Sequence, residues 1–221
     1  MRIRSFIIAY ALVLAILLFA DRRPSPASGN RYSHVIDLTG APSPDHSTGT
    51  LSSPTRIVAP GALIPGTWSA GQIPAERLIA PLVVMDLTIR PDQASQITLS
   101  DIADWESRHG VVAQGAVVAI RRVGAASAPA ATPLPITADA AQFLMDARDV
   151  LGFAIETPSD LASDRSLARQ LALHGNYVID RATGLSALPE TGSLVIVAPA
   201  KNAANKTNAS EAPVRILAMV R

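Results

Sequence analysis

The stretch SSPTRIVAPGALIPGTWSAGQIPAERL, residues 52–78, decides how the rest of the chain is read. Its four prolines and three glycines speak against a helix or a long strand. It carries no hydrophobic period of 2 or 3.6. Yet it runs directly into LVVMDL, residues 82–87, a short apolar run rich in strand formers. A long, ordered-looking loop ahead of a buried strand is a place where sites are built, because the strand holds the loop while the loop carries the chemistry. Residues 52–78 are therefore read as a site-bearing loop.

The 221 residues suffice for one domain with a sizeable core. With 48% hydrophobic but only 4% aromatic residues, that core has to be built from Ala, Val, Leu and Ile. A net charge of +1 points to no polyanionic partner, and no basic run interleaves with aromatics, so nucleic acid is excluded. The absence of cysteine excludes disulfides and thiolate metal sites.

At the N-terminus, Arg2 and Arg4 precede FIIAYALVLAILLFA, residues 6–20. A basic start with a fifteen-residue apolar run reads as an export signal, and it is short for a bilayer span of about 20 residues. Leu18 is large for the first small-residue position of a cleavage site, so a cleaved signal peptide and a retained membrane anchor both stay open. Either way the protein is expected outside the cytoplasm, periplasmic or held at the membrane through residues 6–20 alone. Residues 21–33 are Pro/Ser-rich and read as a linker. Residues 34–221 form the domain.

Along that domain the expected strands are residues 34–38, 82–87, 116–121, 152–155, 177–180, 194–198 and 214–220. Near-continuous apolar runs such as AVVAIR (116–121) are expected where both sheet faces are covered. The expected helices start at the capping-box-like Thr98-Leu99-Ser100-Asp101, at Thr137, and at Asp164 or Ser166. They stop at His109-Gly110, near Leu151, and at Gly175. Phe143, Leu144, Ala147 and Leu151 are expected on one buried face. Residues 40–51, 124–135 and 201–213 read as loops. Strands alternating with helices give an α/β class.

Several of these segments resemble the cyclase family of metal-dependent hydrolases, which includes kynurenine formamidase. The resemblance rests on QIPAERLIAPLVV (72–84), on Asp37-Leu38-Thr39, and on Leu185-Ser186-Ala187-Leu188-Pro189, which is similar to the family's Leu-x-x-Leu-Pro. It implies a single domain with a mixed central sheet or partial barrel and flanking helices. It also implies arylformamidase-type hydrolysis of amides or esters with Zn or Mn.

The family's metal loop reads roughly HTGTHxDAPxH. Laid on residues 52–62 without gaps, it matches Thr55, Ala59 and Pro60. The family's metal ligands then fall on Ser52, Arg56 and Val58, and its proton-transfer His falls on Ala62. Two further ligands, a His and a Glu twelve residues on, map to Ala168 and Asp180 through Gly175 and Tyr177. A gapped alternative places the loop on Ser47-Thr48-Gly49-Thr50 and restores no ligand set either. A hydrolytic metal site needs at least three protein ligands and an open water position. Of the mapped residues only Asp180 can ligate, and the Arg56 guanidinium has no acceptor lone pair. No metal cofactor is therefore expected. Arg56, Asp180, Thr55 and Pro60 remain as pocket candidates. Arg56 either pairs with Asp180 in the vacated site or faces solvent.

No other constellation replaces the lost set. His34, His46, His109 and His174 contain no pair at the i, i+4 spacing of a helical metal pair. His109 and His174 suit helix C-termini, where a cation complements the dipole. Thr157-Pro158-Ser159-Asp160 reads as a turn. Three readings of function follow: an exported, non-catalytic cyclase-family protein; a hydrolase of the same family with a rebuilt site; or a structural module of the cell envelope. The partners expected are a second copy of the chain and an unidentified small molecule or envelope protein.

Overall fold

The computed structural model describes residues 32–41, 43–44, 51–52, 55–89, 95–124, 132–200 and 211–221, with only the backbone of 43–44 and 51–52. The chain divides into two units, Met1–Arg31 and Tyr32–Arg221. The apolar run 6–20 lies outside the described residues, as do His46 and most of the loops at 40–51, 124–135 and 201–213. Among the described residues no helix is long and apolar enough to cross a membrane.

In chain order the elements are β1 (His34–Asp37), β2 (Ser43–Pro44), β3 (Leu51–Ser52), β4 (Arg56–Val58), α1 (Pro60–Leu63), β5 (Ile79–Thr88), α2 (Leu99–His109), β6 (Val117–Val123), α3 (Ala138–Arg148), β7 (Gly152–Ile155), α4 (Arg165–Leu173), β8 (Tyr177–Asp180), β9 (Ser193–Pro199) and β10 (Glu211–Val220). Seven strands close a ring in the order β10-β4-β8-β7-β6-β5-β9, with β9 returning to β10. Strands β5 to β8 run parallel, and every joint through β4, β10 and β9 is antiparallel. Helices α2, α3 and α4 are the crossovers that parallel neighbours require. Strand β1 adds to β10, and β2 pairs with β3 in a separate ladder. The expected mixed sheet is thus a closed barrel with helices outside it.

Closure explains the apolar runs. Leu82, Val84, Val117, Ala119, Ala154, Tyr177 and Ile179 fill the barrel interior. Their sequence neighbours Val83, Met85, Val118, Ile120, Phe153, Ile155 and Val178 point outward into a second core beneath the helices. Successive residues on a strand serve opposite faces, so two cores need an uninterrupted apolar strand. Burying one such Leu or Phe side chain contributes about 1.5–3 kcal/mol.

The helices are fixed by local polar bonds as well as by packing. Thr98 and Asp101 close the capping box of α2, and Trp105 Nε1 donates to Val84 O of β5 at 2.9 Å. Asp164 caps α4, accepting from the backbone N–H groups of Ser166 and Leu167. Arg121 of β6 pairs with Asp86 of β5 at 2.6 Å and donates to the carbonyls of Leu185 and Leu188. That bonding gives the Leu-x-x-Leu-Pro segment a structural role: it lashes a 3₁₀ turn to the barrel.

Five expectations are corrected. Residues 52–78 are not one loop: Arg56-Ile57-Val58 is the ring strand β4, followed by α1 and by 3₁₀ turns at Ala70–Gln72 and Ala75–Arg77. Three residues are too few to show a period, and pairing on both sides overrides local propensity. Residues 43–44 and 51–52 form a short ladder within the segment read as loop. Glu211, Ala212 and Pro213 belong to β10, where they pair with β4. In α3 the buried residues are Ala140, Ala141, Leu144 and Met145, while Ala147 is exposed. The helix ends at Arg148 because Asp149 turns left-handed (φ 49°), so Leu151 lies beyond it. The Thr137 hydroxyl donates to Ile97 O instead of capping α3.

The AER segment of residues 75–77 also has a packing role. Arg77 lies over the Trp68 ring and donates to Gly175 O at 3.3 Å, while Tyr177 OH donates to Arg77 O at 2.8 Å. Gly175 has φ +69°, and a Cβ there would lie 2.8 Å from Cζ3 of Trp68. Gly175→Ala should therefore destabilise the domain by about 2–3 kcal/mol, from backbone strain plus displacement of the indole. Urea denaturation measures it, and an unchanged midpoint would contradict this packing.

Candidate functional site

Ligands of α/β sheets gather at the carboxyl ends of parallel strands. Here that end carries Arg122 of β6, residues 156–159 after β7, and Asp180 of β8. Strand β4 enters antiparallel beside β8, which sets Arg56 opposite Asp180 and Val58 opposite Val178. Val58, Val178 and Ala168 of α4 all belong to the outer core. Arg56 and Asp180 lie two residues along their strands from Val58 and Val178, so they point to the same outer face. Four of the mapped positions, Arg56, Val58, Ala168 and Asp180, thus face one layer beneath α4.

The other mapped residues lie apart. Ser52 pairs with Ser43 in the separate ladder. Ala62 is exposed on α1, and Pro60 is buried at that helix's first position. Thr55 is fully buried; its hydroxyl accepts from Gly40 N at 2.7 Å and donates to Arg181 O at 2.8 Å. That makes Thr55 a tie between the segment after β1 and the end of β8.

Asp180 is 7% exposed. Its Oδ2 accepts from Ser159 N at 3.1 Å, and its Oδ1 is buried without a hydrogen-bond partner. Burial pushes its pKa above the ordinary aspartate value, helped by the Glu211 charge and opposed by the Ser159 N–H and hydroxyl and by the Arg181 charge. Arg56 does not reach it. Its Nε lies 3.4 Å from Oε2 of Glu211, with side-chain exposures of 36% and 51%. Glu211 stands opposite Val58 on β10, one diagonal from Arg56. A guanidinium keeps part of its hydration there, whereas burial beside Asp180 would strip it away. Arg56 thus neither pairs with Asp180 nor lies free in solvent; its partner is Glu211, a residue neither expectation named.

The donor set does not fit a metal ion. Two of the four facing positions are aliphatic, the third is a cation, and the fourth is one carboxylate already engaged by Ser159. Among the described residues no group of three or more His, Cys, Asp or Glu could hold one. Two of the described histidines serve elsewhere: His109 packs at a tilt on Trp105, and His174 sits between Gln170 O and Asp146 Oδ1, each at 2.9 Å. A polar cleft between β5 and α2 contains Asp86 and Glu190, but Arg121 pairs with both.

Glu211 and Arg181 are not singled out by the sequence, and Ser159 is read there only as part of a turn. Ser159 contributes through its backbone N–H, which any non-proline residue supplies. Glu211 acts through a diagonal contact visible only once β10 is paired. Arg181 adopts φ 54° directly after Asp180, a conformation rare for a non-glycine residue.

Residues 23–160, more than half of the chain, match the family described as "Putative cyclase". The chain belongs to the cyclase family. The match stops short of Ala168 and Asp180. No curated protein matches the chain. Among solved structures, isatin hydrolase A from Labrenzia aggregata, bound to benzyl benzoate, is 25% identical with a TM-score of 0.64, covering 85% of this chain and 93% of that one. Isatin hydrolase A from Ralstonia solanacearum is 22% identical with a TM-score of 0.68, covering 96% and 97%. A potential metal-dependent hydrolase with cyclase activity is 22% identical with a TM-score of 0.61, covering 85% and 98%. The last two likenesses are of fold.

Because the Arg56–Glu211 contact is half-exposed, Arg56→Ala should change stability by less than about 0.5 kcal/mol. A loss of several kcal/mol in chemical denaturation would mean that Arg56 neutralises buried Asp180 after all.

Proposed function

We propose that this chain is a cyclase-fold protein without metal-dependent hydrolase activity, keeping the carboxyl-end site for a small molecule. One observation carries this reading: where the family places metal ligands, this chain faces Arg56, Val58 and Ala168 toward the layer that holds Asp180. A hydrolytic metal would need three protein ligands to hold it and lower the pKa of its water. A single buried carboxylate supplies neither tight binding nor the open, preorganised geometry.

We also propose export. Arg2 and Arg4 before the apolar run 6–20 support it, followed by the Pro/Ser-rich segment 21–33. Fractionation of cells expressing the tagged chain should place it in the envelope, and recovery from the soluble cytoplasm would contradict this.

The second reading, a hydrolase with a rebuilt site, draws on family membership and on the two carboxylates, Asp180 and Glu211, that flank Arg56. The full-length chain supplied with Zn²⁺ or Mn²⁺ and assayed on an aryl formamide and on isatin separates the two. No metal-stimulated turnover is expected. Turnover that rises with metal and disappears in Asp180→Asn would establish the hydrolase and remove the non-catalytic reading.

A further inference from the structure

The antiparallel side of the barrel carries an apolar face that neither core uses. Helices α2, α3 and α4 cross over between parallel strands, so the core beneath them draws on β4 to β8 and on no residue of β9 or β10. On those two strands Met219 stands opposite Leu194, with Val35 of β1 and Pro81 of β5 extending the row. Two residues along, Leu217 stands opposite Ile196, and Ile196 opposite Ile79. Directly opposed residues share one sheet face. Their neighbours Val195, Ile216 and Ala218 fill the barrel interior, so alternation puts these seven outside. Val35 is 58% and Ile79 55% exposed, and the other five are partly exposed.

The face is large enough to hold a partner. Four strands about 4.8 Å apart, over the seven residues of β9, span roughly 450 Å² of flat area. That is the size of the largest apolar patch on a typical monomer, and such patches often mark an interface. Accessible surface exceeds flat area because side chains stand above the sheet. Two such faces therefore bury about 1,000 Å² together, where specific interfaces begin. Beside the apolar rows lies a groove of about 600 Å³, lined by Asp37, Ala198, Pro213 and Arg215 among others.

Charge decides what covers it. The rows hold one charge of each sign, and Arg215 Nη2 meets Asp37 Oδ2 at 3.1 Å. A second copy brings the same charges, so a face can meet itself only where they cancel locally. Anionic lipid is drawn by clustered Lys and Arg, and one Arg already paired with Asp offers no such attraction. We infer that the outward faces of β9, β10 and β1 pack against the same face of a second copy, giving a two-fold dimer. Pairing of one patch with itself is the usual arrangement in dimers. Sheets stacked in this way sit about 10 Å apart with their side chains interleaved. The groove beside the rows accepts side chains that stand above the opposing sheet. This inference is independent of whether the carboxyl-end site binds a metal.

Light scattering of the full-length chain in a non-ionic detergent tests it. The protein mass is expected to rise from the 23.1 kDa of one chain toward twice that across about 1–100 μM. Leu217→Glu, which sets a charge into a two-fold interface twice over, should weaken association at least about tenfold. Ile79→Glu should act likewise, at a position whose 55% exposure spares folding. Leu173→Glu, 63% exposed on the helical side, should dimerise like the parent. All three variants keep residues 6–20, so association through that apolar run would survive in each. Circular dichroism reports folding, and Ile79→Glu decides the matter alone if Leu217→Glu does not fold. A fluorophore on Val35→Cys, the one thiol in a chain without cysteine, gives a second readout. Its emission should move to the blue as protein concentration rises. At a concentration where the chain is monomeric, phosphatidylcholine vesicles should leave it unchanged. A single-chain mass at every concentration, or a dimer untouched by both Glu variants, would overturn the inference. A blue shift brought about by vesicles alone would overturn it in favour of a lipid surface.

Discussion

A three-residue strand holds this fold closed. Arg56-Ile57-Val58 pairs with Tyr177–Asp180 on one side and with the start of Glu211–Val220 on the other. Without it, β8 and β10 would present open edges, which attract unwanted strand partners. Its register is fixed by alternation. Ile57 is fully buried in the barrel interior, while Arg56 and Val58 face outward. A slip of one residue would drive the guanidinium into the interior and expose Ile57. The Thr55 hydroxyl, bonded to Gly40 N and Arg181 O, pins the strand's entry.

That constraint separates geometry from chemistry. The barrel needs β4 in this register whatever residues stand at its outward positions. Four of the five positions that the resemblance maps to metal ligands, Arg56, Val58, Ala168 and Asp180, therefore share the face beneath α4. Asp180 keeps its carboxylate and its burial, and spends one oxygen on the Ser159 N–H.

What could be read in the sequence follows the same division. Strands β7 and β8 were legible to the residue, because apolar runs buried on both faces are bounded by Gly152, Gly175 and polar turns. Helix α4 was legible through its Asp164 cap and the Gly175 stop. Strand β4 was not, since three residues carry no period and its pairing is entirely tertiary. The start of β10 was hidden for the same reason, behind a polar run ending in Pro213. The buried face of α3 was misjudged because a left-handed Asp149 ends the helix before Leu151 can join it. At the site, resemblance placed Arg56, Val58, Ala168 and Asp180, whereas Ser159 and Glu211 act through a backbone donor and a diagonal contact that no side-chain pattern announces.

The cyclase family supplies the architecture, and the proposal is that this member uses the site without a metal. Elemental analysis of the full-length chain, loaded with Zn²⁺ or Mn²⁺ and then dialysed, tests that most directly. The account predicts metal far below one ion per chain. One ion per chain, lost in Asp180→Asn, would contradict it.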